Sequence, residues 1–195
     1  MSSILLASDA SALIEKAVKG GNLAFIPTAA DLHETKWWIK EDKIKLTAKG
    51  FDLTEIDLKQ KISLKNFKDF NAIYVAGGNS FYLLQKMKES GFSKIINKLI
   101  KKEVTYIGSS AGAVVAGPDI WSIRFLDEPS KAKLKSFKSL GLVDFIPLPH
   151  FGNKKYSKPY EKVIKSLEKT KYKYIKIKEN QAVLVKNNKT KIVEI

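Results

Sequence analysis

Short apolar runs alternate with helix-like segments along the first half of this chain, and that alternation restricts the fold more than any other feature. Residues 4–7, 23–26, 51–56, 72–76 and 104–107 read as strands. Residues 11–19, 36–49, 81–89 and 93–102 between them read as helices, with glycines at 20–21, 50 and 91 marking stops. Strands separated by helices of about ten residues build βαβ units and a parallel sheet. Such strands are covered on both faces and so carry apolar residues at successive positions. The expected fold class is therefore α/β, a mostly parallel central sheet with helices on both faces. After residue 142 the pattern changes. Residues 142–148 are mostly apolar, 160–169 form a short amphipathic helix, and 172–177, 182–186 and 191–195 read as three short strands joined in part by an Asn187-Asn188 turn. Those last strands are expected to form an antiparallel meander or a sheet edge.

The chain has 195 residues, which suits one domain with a core of its own. A single domain over residues 1–195 is expected. With 44% hydrophobic residues the chain is not disordered in the main, and no apolar run is long enough for a transmembrane helix. The N-terminus reads as a first strand rather than a signal peptide, and a cytoplasmic location is the expectation. Cysteine is absent, so disulfides, thiolate metal sites and a cysteine nucleophile are excluded. The formal net charge is +15, but Arg124 is the only arginine among the 35 basic residues. The lysines are spread over the whole chain, as on a solvated surface. Base readout in nucleic acids leans on arginine forks, so no specific nucleic-acid partner is expected.

Tyr106-Ile-Gly-Ser-Ser-Ala-Gly112 carries chemistry. It holds Gly108, Ser110 and Gly112 in the G-x-S-x-G pattern, after a predicted buried strand and before a predicted helix. That is the setting of a nucleophile elbow, where small neighbours permit a strained turn that exposes the serine. The N–H of Ala111 then faces the same space and can serve an oxyanion. A plain strand-to-helix turn with Ser110 as N-cap is the alternative, and Ser109 is a second candidate nucleophile. A serine needs a base, and only His33 and His150 are available. His150 follows an apolar run, where side chains of a parallel sheet converge on a site; His33 lies in a polar loop. An acid is needed to orient the base. Between Ser110 and His150, Asp127 is the first choice, with Glu128 second and Asp119 third.

Ala76-Gly-Gly-Asn-Ser-Phe-Tyr-Leu-Leu84, Gly108-Ser-Ser-Ala-Gly-Ala113, Leu148-Pro-His-Phe151 and Ala24-Phe-Ile-Pro-Thr-Ala29 together resemble the serine peptidases of the dipeptidase E and cyanophycinase family. The resemblance covers nearly the whole chain. It implies a fold similar to class I glutamine amidotransferase domains, with serine in place of their cysteine. It implies Ser110 as nucleophile, His150 as base and Asp127, in an Asp-x-Pro segment, as third member. The Gly-Gly-Asn motif would supply the second oxyanion donor, the N–H of Gly78, with Asn79 beside the substrate. The implied function is a serine-type peptidase that hydrolyses small peptides, in particular dipeptides with an N-terminal aspartate. The alternative is a cyanophycinase-like or other hydrolase acting on β-aspartyl bonds. Recognition of an acidic side chain requires a cation. Arg124 is the candidate, since lysine replaces an arginine fork poorly; Lys154, Lys155 and Lys158 are further candidates. No metal or organic cofactor is expected. The expected assembly is a monomer or a homodimer. Trp37 and Trp38 suit a core, a lid or a dimer contact.

Overall fold

The computed structural model describes residues 3–187 and 189–195. Met1, Ser2 and Asn188, the second residue of the expected hairpin turn, lie outside the described residues. In chain order the elements are β1 (Ser3–Ala7), α1 (Ala10–Leu13), β2 (Gly21–Ile26), α2 (Trp37–Ala48), β3 (Phe51–Glu55), β4 (Ala72–Val75), α3 (Ser80–Ser90), α4 (Phe92–Lys101), β5 (Thr105–Ser109), α5 (Ala111–Val114), β6 (Phe145–Leu148), α6 (Ser157–Leu167), β7 (Lys173–Lys176), β8 (Gln181–Lys186) and β9 (Lys189–Glu194). Seven strands form one sheet in the order β3-β2-β4-β5-β1-β8-β9. From β3 to β1 the strands run parallel, and β8 and β9 continue the sheet antiparallel.

The period of two along each strand divides the core. Ile4 and Leu6, Ala24 and Ile26, and Ile73 and Val75 face one side with α3, α4, α5 and α6. Leu5 and Ala7, Leu23 and Phe25, and Tyr74 face the other, under α1 and α2. Both faces are buried, which is why these strands carry successive apolar residues. Parallel neighbours need long crossovers, and the helices provide them. No helix among the described residues is long and apolar enough to cross a membrane.

Two expectations are corrected. The helix expected over 11–19 stops after one turn. Ile14–Lys16 tightens into a single 3₁₀ turn, and Gly20 and Gly21, both at positive φ, swing the chain into β2. The more consequential correction concerns β7. It does not join a meander with β8 and β9. It pairs parallel with β6 in a separate two-stranded sheet, Leu148 opposite Lys176, with α6 as the crossover. Of these three strands, only β8 and β9 pair antiparallel with each other. The carboxyl ends of β6 and β7 therefore lie together.

The nucleophile elbow is wedged against the sheet. Tyr106, fully buried on β5, donates its hydroxyl to the carbonyl of Gly112 at 2.7 Å. A Cβ on Gly112 would stand 2.1 Å from the carbonyl oxygen of Val75, so only glycine lets α5 approach β4 this closely. Helix α2 is less regular. Its buried stripe is Ile39, Asp42 and Leu46, a helical spacing with a carboxylate in the middle. Asp42 is 6% exposed. Burial pushes its carboxyl up to about 6, with the nearby Tyr74 hydroxyl acting in opposition and Asp9 repelling the charged form.

A carboxyl with a raised folded-state pKa stabilises the fold while it is protonated and costs stability once ionised. The contribution is full below about pH 4, near the unfolded pKa, and is lost as pH rises through about 6. Asp42→Asn should therefore be more stable than wild type at pH 8 by on the order of 2 kcal/mol. The difference should close near pH 4. Urea denaturation of both proteins at the two pH values checks this; equal stability at pH 8 would show that Asp42 ionises freely in the fold.

Candidate active site

The carboxyl ends of β1, β2, β4 and β5 lie on one side of the sheet, and those of β6 and β7 meet them there. A cavity of about 920 Å³ opens at this edge, room enough for a small peptide. Its wall includes Ser8, His33, Trp38, Gly78, Asn79, Ser110, Ala111, Asp127, His150 and Glu179.

Ser110 sits at the apex between β5 and α5 with φ 51° and ψ −109°. Such backbone is unfavourable for a residue with a Cβ and persists only where its surroundings enforce it. The enforcing contacts are the bond from Ser110 N–H to the Ala7 carbonyl at 2.9 Å and the glycine wedge behind it. The serine side chain is thereby turned out of the sheet edge. His150 follows β6, also at positive φ, 61°. Its Nε2 lies 3.0 Å from Ser110 Oγ. Its Nδ1 lies 2.9 Å and 3.0 Å from the two carboxylate oxygens of Glu179. Asn153 donates its side-chain amide to Glu179 Oε1 at 2.8 Å. The Ser8 hydroxyl, just past β1, accepts the His150 N–H at 2.7 Å and lies 3.4 Å and 3.3 Å from the carbonyls of Ile177 and Lys178. One hydroxyl thus ties the main sheet to both segments that carry the imidazole and its acid.

A hydroxyl, an imidazole and a carboxylate in this sequence of contacts can transfer the hydroxyl proton to the ring while the carboxylate holds the other ring nitrogen protonated. Gly78 stands opposite Ser110 with φ 149°, and a Cβ there would come 2.0 Å from the carbonyl of Ala29. The backbone N–H groups of Gly78 and Ala111 have no protein acceptor among the described residues.

The structure separates the residues singled out in the sequence. It brings Ser110 and His150 together and sets Gly78 and Ala111 beside them. It does not set Asp127 on the imidazole: Glu179 occupies that position, and Asp127 Oδ2 accepts the N–H of Ser80 at 2.8 Å. Burial pushes the Asp127 carboxyl up, while the polar groups of Ser80 pull it down. Asn79 is the N-cap of α3. Its Oδ1 accepts the Tyr82 N–H at 2.9 Å and its Nδ2 reaches the Glu128 carbonyl at 3.3 Å, so its polar atoms are taken by the protein. Glu128 pairs with Lys131 at 3.6 Å, and Asp119 caps the turn at Trp121. Arg124 turns away from the cavity. It donates to the Trp121 carbonyl at 2.8 Å and to Ser166 Oγ at 3.2 Å, and its guanidinium lies over the rings of Trp121 and Phe125. Of the three lysines after His150, Lys155 borders the cavity. His33 packs edge-on against Trp38, whose indole N–H donates to the Gly77 carbonyl at 3.2 Å. Among the described residues no group of three or more acidic or histidine side chains could hold a metal ion.

Glu179 escaped the sequence reading because the search for an acid ran only between Ser110 and His150. Its signal was there: it follows the strand-like run 172–177, the same position relative to a strand end that marked His150.

The strain at Ser110 has a measurable consequence. Ser110→Gly and Ser110→Ala both remove the hydroxyl, but only glycine relieves the backbone. The glycine variant should exceed the alanine variant in stability by about 1 kcal/mol. Thermal denaturation of the pair reads the difference, and equal midpoints would place the strain elsewhere.

The Peptidase family S51 model matches residues 6–193. An uncharacterized peptidase of Listeria innocua is 36% identical over 180 residues, covering 89% of this chain and 84% of that protein. The peptidase E of Streptomyces coelicolor is 31% identical over 132 residues, 68% of this chain and 52% of that protein. A crystal structure of a Listeria monocytogenes protein assigned as peptidase E superposes with a TM-score of 0.88 at 30% identity, over 100% of this chain and 99% of that one. With the family model matching nearly its whole length and its fold shared with the Listeria monocytogenes protein, the chain belongs to peptidase family S51 and is a peptidase.

Proposed function

We propose that this peptidase is of the serine type and hydrolyses small peptides, dipeptides among them, through an acyl-enzyme on Ser110. The observation that carries the reading is the continuous hydrogen-bonded array Ser110–His150–Glu179 at the cavity wall. His150 Nε2 takes the Ser110 proton as Oγ attacks the peptide carbonyl carbon. The carbonyl oxygen becomes an oxyanion between the N–H groups of Gly78 and Ala111. His150 then returns the proton to the leaving amine, the C–N bond breaks, and an ester remains on Ser110. Water, deprotonated by the same imidazole, hydrolyses that ester. Glu179 fixes the tautomer with a proton on Nδ1 and stabilises the imidazolium in each half-reaction. Asp127 has no part in this relay.

Preference for an N-terminal aspartate loses its expected support, because Arg124 is engaged elsewhere. Lys155 on the rim, over the Tyr156 ring, is a cation in reach of an acidic side chain. The test is hydrolysis of Asp-X, Glu-X, Ala-X and β-aspartyl dipeptides by wild type, Ser110→Ala and Glu179→Ala. Wild type should cleave at least one class. Ser110→Ala should fall by about 10³-fold or more in kcat, and Glu179→Ala by about 10²- to 10⁴-fold. Activity of Ser110→Ala equal to wild type would remove Ser110 as nucleophile. Unchanged kcat in Glu179→Ala would remove Glu179 from the relay.

A further inference from the structure

The peptide between Gly77 and Gly78 is fastened at both ends and has no side chains of its own to hold its middle. The Ala76 N–H donates to the Ile26 carbonyl at 3.0 Å, and the Asn79 N–H donates to the Ala29 carbonyl at 2.8 Å. Between those bonds neither residue has a Cβ. Opposed rotations about Gly77 ψ and Gly78 φ can turn the peptide plane without moving the flanking chain or meeting a side-chain penalty. The same unit lies against the nucleophile: a Cβ on Gly77 would stand 3.0 Å from Ser110 Cβ and 3.5 Å from its Oγ. Two glycines thus leave undetermined the direction of a plane that borders the reacting atom.

Trp38 determines it. Among the described residues the Gly77 carbonyl accepts one hydrogen bond, from the Trp38 indole N–H at 3.2 Å. Trp38 lies in the first turn of α2, and the next residue, Ile39, is buried beneath the helix. Its ring is braced edge-on by His33, with centroids 5.1 Å apart, and by Trp37 at 5.9 Å. A tryptophan side chain has two torsions, so a ring packed from two sides aims its N–H in one direction. A trans peptide is planar, with its C=O and N–H pointing opposite ways. Holding the Gly77 oxygen toward the indole therefore turns the Gly78 N–H away from it. Gly78 lines the cavity, and this N–H has no protein acceptor among the described residues. The reversed plane would aim the N–H at α2 and set a carbonyl oxygen where an oxyanion must form, which would repel it.

We propose that Trp38 is a positioning residue: its indole N–H locks the Gly77–Gly78 peptide in the orientation that offers the Gly78 N–H to the carbonyl oxygen of the scissile bond. This rests on the serine-peptidase reading above and deepens it by assigning what aims one of its two oxyanion donors. In this role Trp38 acts through Gly78 and touches no substrate atom. Loss of an entire oxyanion donor lowers kcat by about 10²- to 10³-fold. Loss of the lock alone leaves the donor present but misdirected for part of the time, so its effect is smaller.

The experiment compares wild type, Trp38→Phe and Trp37→Phe on a dipeptide of the panel above that the wild type cleaves. Two inhibitors built on that dipeptide's first residue, its amino aldehyde and its amino alcohol, are measured in parallel. Ser110 Oγ adds to the aldehyde carbon, the serine proton passes to His150, and the former carbonyl oxygen becomes an alkoxide at the two N–H groups. The alcohol forms no such bond and reports ground-state binding. The ratio of the two inhibition constants does not depend on how much of a variant is folded, and a thermal melt reports the fold itself. In Trp38→Phe, kcat should fall about 5- to 10-fold, and the aldehyde should weaken by the same factor. KM and the affinity for the alcohol should stay within about 2-fold of wild type. Trp37→Phe trims a ring against the same indole but leaves the Gly77 carbonyl bonded, and it should match wild type. An unchanged aldehyde-to-alcohol ratio in Trp38→Phe, with Ser110→Ala inactive, overturns the positioning role and leaves the serine mechanism standing. An equal loss in Trp37→Phe also overturns it, since packing would then account for the effect. Cleavage by Ser110→Ala at the wild-type rate, with the aldehyde binding no better than the alcohol, overturns the serine-peptidase reading and this proposal with it.

Discussion

Parallel pairing of β6 with β7 is the constraint on which the site depends. Two strands that run the same way end side by side, and here His150 and Glu179 are the residues just beyond those ends. Had β7 paired antiparallel, its carboxyl end would lie at the other end of β6, some four residues away. The small sheet is then fastened to the large one through Ser8, which receives the His150 N–H and reaches the carbonyls just past β7. A single buried hydroxyl thus sets the imidazole relative to Ser110, which is itself bonded to the Ala7 carbonyl at the end of the same strand.

The elbow supplies the opposing half. Its geometry is unfavourable locally and is imposed from outside: the Tyr106 hydroxyl on the Gly112 carbonyl, the close approach of α5 to β4, and the hydrogen bond from Ser110 N–H to β1. Strain of this kind persists because a rigid, doubly covered sheet over-determines it. The hydroxyl is held out toward the cavity without a flexible loop to carry it, which fits the preorganisation that acyl transfer needs.

The cavity wall also shows how one class of side chain is divided among tasks. Glu179, Asp127, Asp42 and Asp9 are four of the six acids around one space. They differ in what they face: an imidazole, a backbone N–H, the buried side of its own helix, α2, and a lysine. Chemical role follows these neighbours and not the residue type. Arg124 makes the same point, since rarity in the sequence suggested a ligand contact and the fold uses it to pack two aromatic rings against α6.

The fold class, the five parallel strands, the covering helices and the elbow were legible in the sequence because they are written in local patterns. Apolar periodicity, glycine stops and the Gly108-Ser110-Gly112 spacing each act within a few residues. His150 was legible because histidine is scarce here and its position past an apolar run is local information too. The choice between Asp127 and Glu179 was not. Both are acids near a turn, and chain order favoured the first. Only the long-range partner of β7 decided it, and strand pairing across a helical crossover leaves no mark on the strand's own residues. The sequence by itself determined which segments become strands and helices and which serine is exposed. The tertiary structure decided which carboxylate meets the imidazole and which accepts the Ser80 N–H instead, because those contacts are fixed by how two sheets dock and not by any neighbour in the chain.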